Sequence, residues 1–366
     1  MDQKYALLYI GAILVTMTGY CYGKVLTVTS TADDDNTLLS VVQVFRHGER
    51  TPILFYPTDP YQNSSYWDGL GTGQLTKRGK QQLLELGQYF RSRYSDFLST
   101  AYVEDEIFVN TVSGKRNLES AESFLVGLYP DQNTSSIPIH QTSPAILGSL
   151  AECLRYDLLY AKQEAEEGYF KDVNEENSDT YDYIRENSLL PVYELLTANS
   201  IWDTLNIENI FNYTLPEWTE SVFPEKLTNL TNVFALSLCY TEEQQRLITG
   251  VFLNELINTF KSAIAEPSSS QKVHLYSAHD VNLACFLNTF DSFTPHMPHF
   301  ASSIIFELKE SKTAYYINAY YKPEDEAIPI TLRGCDFNCK LEDFTSLFSD
   351  MLITEVQWIM KCFTPL

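Results

Sequence analysis

Leu38-Leu39-Ser40-Val41-Val42-Gln43-Val44-Phe45-Arg46-His47-Gly48-Glu49-Arg50-Thr51-Pro52 is the stretch from which the rest of the chain can be read. The run from Leu38 to Phe45 is rich in Val and Leu and stops abruptly at Arg46, as a buried strand does when it delivers a polar loop. Gly48 suits the sharp turn that follows. The loop sets one imidazole, His47, between Arg46 and Arg50, two guanidiniums that stay charged. Arginine forks match phosphoryl oxygens two at a time, and histidine serves as nucleophile or proton carrier. A solvated charge cluster is the plain alternative, and the strand before it and the proline after it weigh against that.

The same grammar of strand, polar loop and helix returns twice. Ile107-Phe108-Val109 predicts a short strand, Thr111-Val112-Ser113-Gly114-Lys115-Arg116 a loop, and the spacing of Leu118, Ala121, Leu125 and Leu128 a helix to Tyr129. Lys272 to Ser277 predicts another strand, His279-Asp280 its loop, and Val281 to Phe290 a helix. After the first loop, Thr76 is placed to cap a helix from Lys77 to Leu98. The glycines from Gly69 to Gly73 do not make a nucleotide-phosphate loop, because the spacing to Gly79-Lys80 is wrong and Gln81 stands where Ser or Thr is needed. Ser302–Leu308 and Ala314–Tyr321 alternate as two further strands.

Between Glu152 and about Thr249 the texture changes to charged, aromatic, helix-permissive sequence without long β-branched runs. The expected architecture is therefore α/β: a three-layer sandwich with a central mostly parallel sheet and a smaller, mostly helical cap lobe. Residues 38–150 and 250–366 would form the catalytic domain, with 151–249 as a helical insertion. In open α/β sheets ligands collect at the carboxyl ends of the strands, where helix N-termini favour anions. Residues 45–50, 111–116 and 277–280 are thus expected to converge on one crevice.

A chain of 366 residues, 44% hydrophobic, can bury a large core. Its net charge of -23 argues against nucleic acid as a partner and requires arginines to be concentrated wherever an anion binds. Lys4 followed by the apolar run Tyr5 to Val15 reads as a signal peptide over residues 1–23, with a retained signal anchor as the alternative, and residues 24–37 as a polar mobile leader. Loss of the signal removes Cys21 and leaves six cysteines, an even number suited to an oxidising compartment. Asn63, Asn133, Asn212 and Asn229 each open an Asn-x-Ser/Thr sequon. No cluster with metal-ligand spacing is evident: His296-x-x-His299 is flanked by prolines, and Cys335-x-x-x-Cys339 is too solitary. No metal and no cofactor are expected, so arginines must neutralise the phosphoryl charge.

Arg46-His47-Gly48-Glu49-Arg50-Thr51-Pro52 resembles the signature of the histidine acid phosphatases, the branch of the histidine phosphatase superfamily that includes prostatic, lysosomal and insect venom acid phosphatases. Leu75-Thr76, Gly79, Gln82, Leu86-Gly87, Arg91 and Tyr94 resemble the family's helix after the first loop, and Ser277-Ala278-His279-Asp280 its second catalytic motif. The resemblance spans the chain from about residue 40 to its end and implies the same α/β fold with a helical lobe over the crevice. It implies that His47 is the nucleophile, forming a phosphohistidine that water cleaves. Arg46, Arg50 and Arg116 would bind the phosphoryl group, with His279 donating to its oxygens. Asp280 would protonate the leaving oxygen, which calls for acidic pH. Relatives often carry Asp near the third arginine, where this chain has Ser113-Gly114-Lys115, so the hydrogen bonding and charge of that loop depart from the pattern.

The resemblance also implies disulfides Cys153–Cys362 and Cys335–Cys339. Cys239 and Cys285 stay open between a new bridge and two buried thiols, since Ser303 stands where a relative's partner cysteine would be. The tail ending Thr364-Pro365-Leu366 lacks the anchor of lysosomal relatives. The expectation is a secreted, extracellular glycoprotein that hydrolyses small-molecule or peptide phosphate monoesters, with no membrane anchor in its mature form. Homodimers occur among relatives, but no interface is legible here. A phytase or other inositol-polyphosphate phosphatase shares the motifs, though its densely anionic substrates fit an acidic chain less well. A catalytically weak effector or binding protein on the same fold is the alternative of another class.

Overall fold

The first strand, β1, runs Thr37–Arg46 and is buried along its length from Ser40, with successive side chains serving opposite faces of a sheet. Val41 and Phe45 pack on one side and Val42 and Val44 on the other, which is why the segment reads as a continuous apolar run. The computed structural model describes residues 36–148, 152–166 and 168–364, so the expected signal peptide and residues 24–35 lie outside the described residues.

The other strands are β2 (Ile107–Thr111), β3 (His140–Gln141), β4 (Val273–Ala278), β5 (Ser303–Glu310), β6 (Tyr315–Lys322), β7 (Ile328–Ile330) and β8 (Cys339–Lys340). Their order is β3-β2-β4-β1-β5-β6-β7, with β8 also on β6. The half from β3 to β1 is parallel, while β5 to β8 are antiparallel. The expected parallel character is thus confined to the half that carries the three polar loops. Short reversals between β5, β6 and β7 explain the antiparallel half, since a parallel return needs a long crossover.

The helices in chain order are α1 (Lys77–Arg93), α2 (Lys115–Leu128), α3 (Pro144–Leu147), α4 (Leu154–Ala165), α5 (Tyr169–Glu176), α6 (Ser178–Ser188), α7 (Leu195–Ile210), α8 (Glu225–Ser237), α9 (Glu242–Ala265), α10 (Asp280–Thr289), α11 (Leu341–Leu347) and α12 (Glu355–Cys362). Leu83, Phe90, Phe124 and Leu128 of α1 and α2 cover one sheet face with Val41, Phe45 and Val109. Phe252, Phe260, Phe286 and Phe290 of α9 and α10 cover the other with Val42, Val44 and Phe306. A further core unites Tyr181, Leu195, Ile201, Leu227 and Phe234 from the helices between residues 154 and 237.

Helix starts follow local chemistry. Thr76 caps α1, its side chain accepting from the Gly79 amide at 2.9 Å. The α1 end differs from expectation: the helix stops at Arg93 rather than Leu98. Tyr94 there sends its hydroxyl 2.8 Å to Glu307, and the chain closes into a turn on the Tyr94 carbonyl. Among the described residues three disulfides are formed, Cys153–Cys362, Cys335–Cys339 and Cys239–Cys285, which closes the question left open for the last pair.

Candidate active site

β1 and β4 are parallel neighbours in register, Arg46 opposite Ala278, so the loops after them emerge side by side. β2 pairs with β4 on its other edge and brings Thr111 opposite Ser277. Three loops distant in sequence therefore meet at one end of the sheet, as their grammar predicted. His47 and His279 lie with ring centroids 5.6 Å apart and planes nearly perpendicular.

The His47 loop is held by the start of α1. The Thr76 hydroxyl donates to Glu49 Oε1 at 2.9 Å, and the Thr76 amide donates to the Glu49 carbonyl at 2.9 Å. The Glu49 amide donates to Gln82 Oε1 at 2.8 Å, and the Gly48 amide to Ser120 of α2 at 3.2 Å. Gly48 backs onto Gly79 so closely that a Cβ on it would sit 2.2 Å from the Gly79 carbonyl oxygen. Close approach to α1, rather than a left-handed turn, is what glycine supplies at this position.

His47 is 2% exposed, and its Nδ1 lies 2.8 Å from the Gly48 carbonyl oxygen. A carbonyl only accepts, so the ring's proton belongs on Nδ1 and the Nε2 lone pair is left free. Burial holds the imidazole well below its ordinary pKa, and Arg46, Arg50, Arg116 and His279 push the same way. His279 caps α10 and its pKa is pushed down to about 4, by burial first and Arg116 next, against Asp280. Asn117 Nδ2 lies 3.4 Å from His279 Nε2.

Arg46 is 4% exposed, donates to the Pro298 carbonyl at 2.5 Å and lies 2.5 Å from Asp280. Phe300 stacks beneath its guanidinium at 4.1 Å. Arg50 faces Asp203 of α7, with Nη1 donating to Oδ2 at 2.9 Å and Nη2 to Oδ1 at 3.0 Å. Arg116 sits in the first turn of α2 rather than before the helix, with its guanidinium near Gly73. The Nε atoms of all three arginines are buried without a hydrogen-bond partner among the described residues, donors in surplus that an anion would satisfy. Asp280 opens α10 rather than lying in the loop, where the helix N-terminus favours a carboxylate. Burial would raise its carboxyl, but Arg46, His279 and Arg50 outweigh that and hold it below the ordinary range.

The Ser113-Gly114-Lys115 departure is resolved by geometry. Gly114 takes φ 122°, a conformation other residues rarely adopt, and so shapes the entry to α2. Lys115 is 73% exposed and lies 3.9 Å from Glu119, so its charge points to solvent instead of the crevice. His296 and His299 are tied apart, the first to Tyr321 and the Thr294 carbonyl, the second to Glu324. Among the described residues no three or more His, Cys, Asp and Glu side chains gather as metal ligands.

A cavity of about 920 Å³ opens beside Arg46, lined by Trp202, Asp203, His296, Phe300 and Lys322. A second, of about 380 Å³, reaches Arg50, Arg116, His279 and Asp280, and Trp202 and Asp203 line both. Asp203, Trp202, Phe300 and Asn117 escaped the sequence reading. Asn117, one residue after Arg116, was the one with a nearby signal; the others come from segments with no motif.

The family model described as histidine phosphatase superfamily (branch 2) matches residues 37–322. The chain belongs to the histidine phosphatase superfamily. Prostatic acid phosphatase of Mus musculus is 32% identical over 344 residues, covering 88% of each chain. Lysosomal acid phosphatase of Homo sapiens is 30% identical over 345 residues, covering 89% of this chain and 80% of the relative. Among solved structures, Hafnia alvei phytase in complex with tartrate aligns with TM-score 0.70 at 16% identity, over 91% of this chain and 100% of that one. Multiple inositol polyphosphate phosphatase of Bifidobacterium longum, in complex with inositol hexasulfate, aligns with TM-score 0.63 at 12% identity, over 90% and 96%. At such identities the two structures speak for the superfamily's fold alone.

Proposed function

We propose that this histidine phosphatase is an acid phosphatase that cleaves phosphate monoesters through a covalent phosphohistidine on His47. The observation that carries the reading is the His47 ring: proton fixed on Nδ1, lone pair free on Nε2, three guanidiniums around it. A neutral imidazole is a nucleophile, and positive neighbours keep it neutral in acid. Arg46, Arg50 and Arg116 take the phosphoryl charge, which makes positioning and electrostatics the main source of rate. Nε2 attacks phosphorus, the ester P–O bond breaks, and the Asp280 proton passes to the leaving oxygen. Water then attacks phosphorus, giving its proton to ionised Asp280. The P–N bond breaks, and orthophosphate leaves.

Relatives named as acid phosphatases match nearly the whole chain. Simple monoesters suit the site better than inositol polyphosphates, because Glu85, Asp203, Glu324 and Asp325 line the larger cavity and oppose added negative charge. The effector alternative has nothing in its favour at the site, where all six expected residues gather. Export fits the three disulfides and the exposed positions of Asn63, Asn133, Asn212 and Asn229. No helix among the described residues is long and apolar enough to cross a membrane.

The test is to mix the protein briefly with a radiolabelled aryl phosphate at acidic pH, quench in alkali, and map the label. Label on the peptide holding His47, absent from His47→Ala together with turnover, is the expected result. Full turnover by His47→Ala would remove the nucleophile.

A further inference from the structure

The carboxylate of Asp203 lies inside the phosphate-binding ring without belonging to any motif. It comes from α7, 153 residues along the chain from Arg50, and grips that guanidinium fork on fork at 2.9 and 3.0 Å. Arg50 Nη1 also donates to the Thr51 carbonyl at 3.3 Å, and its Nε is enclosed. Both Nη nitrogens are thus committed to Asp203, leaving only Nε unpartnered; the Asp203 side chain is 16% exposed and lines both cavities. Two carboxylate oxygens spaced to fit an arginine fork resemble two phosphoryl oxygens. A phosphoryl group cannot use that edge of Arg50 without loosening Asp203, and wherever it sits it meets a negative charge close by.

We infer that Asp203 is a place-holder for the phosphoryl group on Arg50, setting phosphate affinity low enough for orthophosphate to leave. The inference rests on the acid-phosphatase reading and deepens it. Every contact an arginine makes with the substrate's phosphoryl group it also makes with orthophosphate. Binding of that kind tightens substrate and product alike and adds nothing to the chemical step. Three buried arginines around a neutral histidine would hold the product firmly. A carboxylate that returns to Arg50 as phosphate departs competes with it at every turnover. This role is opposite in sign to that of a carboxylate that merely holds Arg50 in place.

The sign decides the matter. Orthophosphate inhibition and binding calorimetry are measured on wild type, Asp203→Asn, which keeps shape without charge, and Asp203→Glu, which keeps charge. Asp203→Asn is expected to lower the orthophosphate Ki and the monoester KM together, by on the order of tenfold or ~1.4 kcal/mol, without raising kcat. Asp203→Glu, with the charge kept, should hold the Ki nearer to wild type than Asp203→Asn does. A Ki in Asp203→Asn that is unchanged or higher overturns the inference and makes Asp203 a support for Arg50. Asp203→Ala reads the same sign if the amide disturbs folding. Wild type that neither hydrolyses monoesters nor binds orthophosphate overturns the acid-phosphatase reading too, whereas a wrong sign in an active protein removes only the role of Asp203.

Discussion

At the residue scale Asp280 carries a conflict between its resting state and its task. In the free site it is an ionised partner of Arg46 at 2.5 Å, yet leaving-group departure needs it protonated. Substrate would resolve the conflict. In the proposed mechanism a phosphoryl dianion would take over Arg46 and add its own negative charge, so the burial that the arginines had outweighed would dominate and the carboxyl would rise. Acid pH assists the same step. Asp280→Asn is expected to slow alkyl phosphates by about 10²- to 10⁴-fold, the range of general acid catalysis, and aryl phosphates much less. A leaving-group series of kcat values checks this, and a uniform loss would count against the proton-donor role. His47, Arg46, Arg50, His279 and Asp280 were legible because each stands in a contiguous motif beside a strand end. Asp203 and Phe300 were not, because what makes them matter is a partner more than a hundred residues away.

At the element scale the site depends on how closely α1 and α2 approach each other and the first loop. Gly87 of α1 meets the Phe124 carbonyl of α2 so tightly that a Cβ would lie 2.1 Å from its oxygen, and Gly127 meets Leu84 at 1.9 Å in the same way. Backbone carbonyls cannot step aside like the end of a side chain. Gly87→Val should push the helices apart, costing about 1–3 kcal/mol and lowering the thermal midpoint. It should also cut activity, since Gln82 on α1 and Ser120 on α2 hold the His47 loop. Circular-dichroism melting with a parallel assay checks both, and an unshifted midpoint would show that the helices tolerate separation. Helix starts were readable from Thr76, whereas the α1 end was not, because Tyr94 answers to Glu307 on a strand far along the chain.

At the scale of the whole molecule, a buried carboxyl pair makes part of the fold's stability depend on pH. Asp59 and Glu208 are buried at 5% and 0% exposure, and Asp59 Oδ2 and both Glu208 carboxyl oxygens lack a hydrogen-bond partner among the described residues, so burial favours their protonated forms. Burial first and Asp59 second raise Glu208 to about 9, whereas an unfolded glutamate gives up its proton near ~4.3. Between those limits Glu208 keeps in the folded chain a proton that it loses on unfolding, so its contribution to stability falls as pH rises, whereas the buried His47 and His279 contribute with the opposite sign. Glu208→Gln should remove that contribution, so that its melting midpoint at neutral pH, taken relative to that at acidic pH, is higher than in wild type. A neutral-minus-acidic difference equal to or below that of wild type would show that Glu208 makes no such contribution. The sheet's two halves were only partly legible, since the strand patterns name β1, β2, β4, β5 and β6 without their order and miss the short β3, β7 and β8.

The Cys239–Cys285 bridge fastens the end of the α8 region to the helix whose first residues flank the crevice, and both sulfurs are sealed, at 1% and 0% exposure. Timing follows from that enclosure. Thiols added to the finished molecule should leave turnover intact, while a chain synthesised in a reducing cytosol should emerge poorly active. The oxidising conditions of biosynthesis would thus be written permanently into the enzyme, a history that its later surroundings cannot erase.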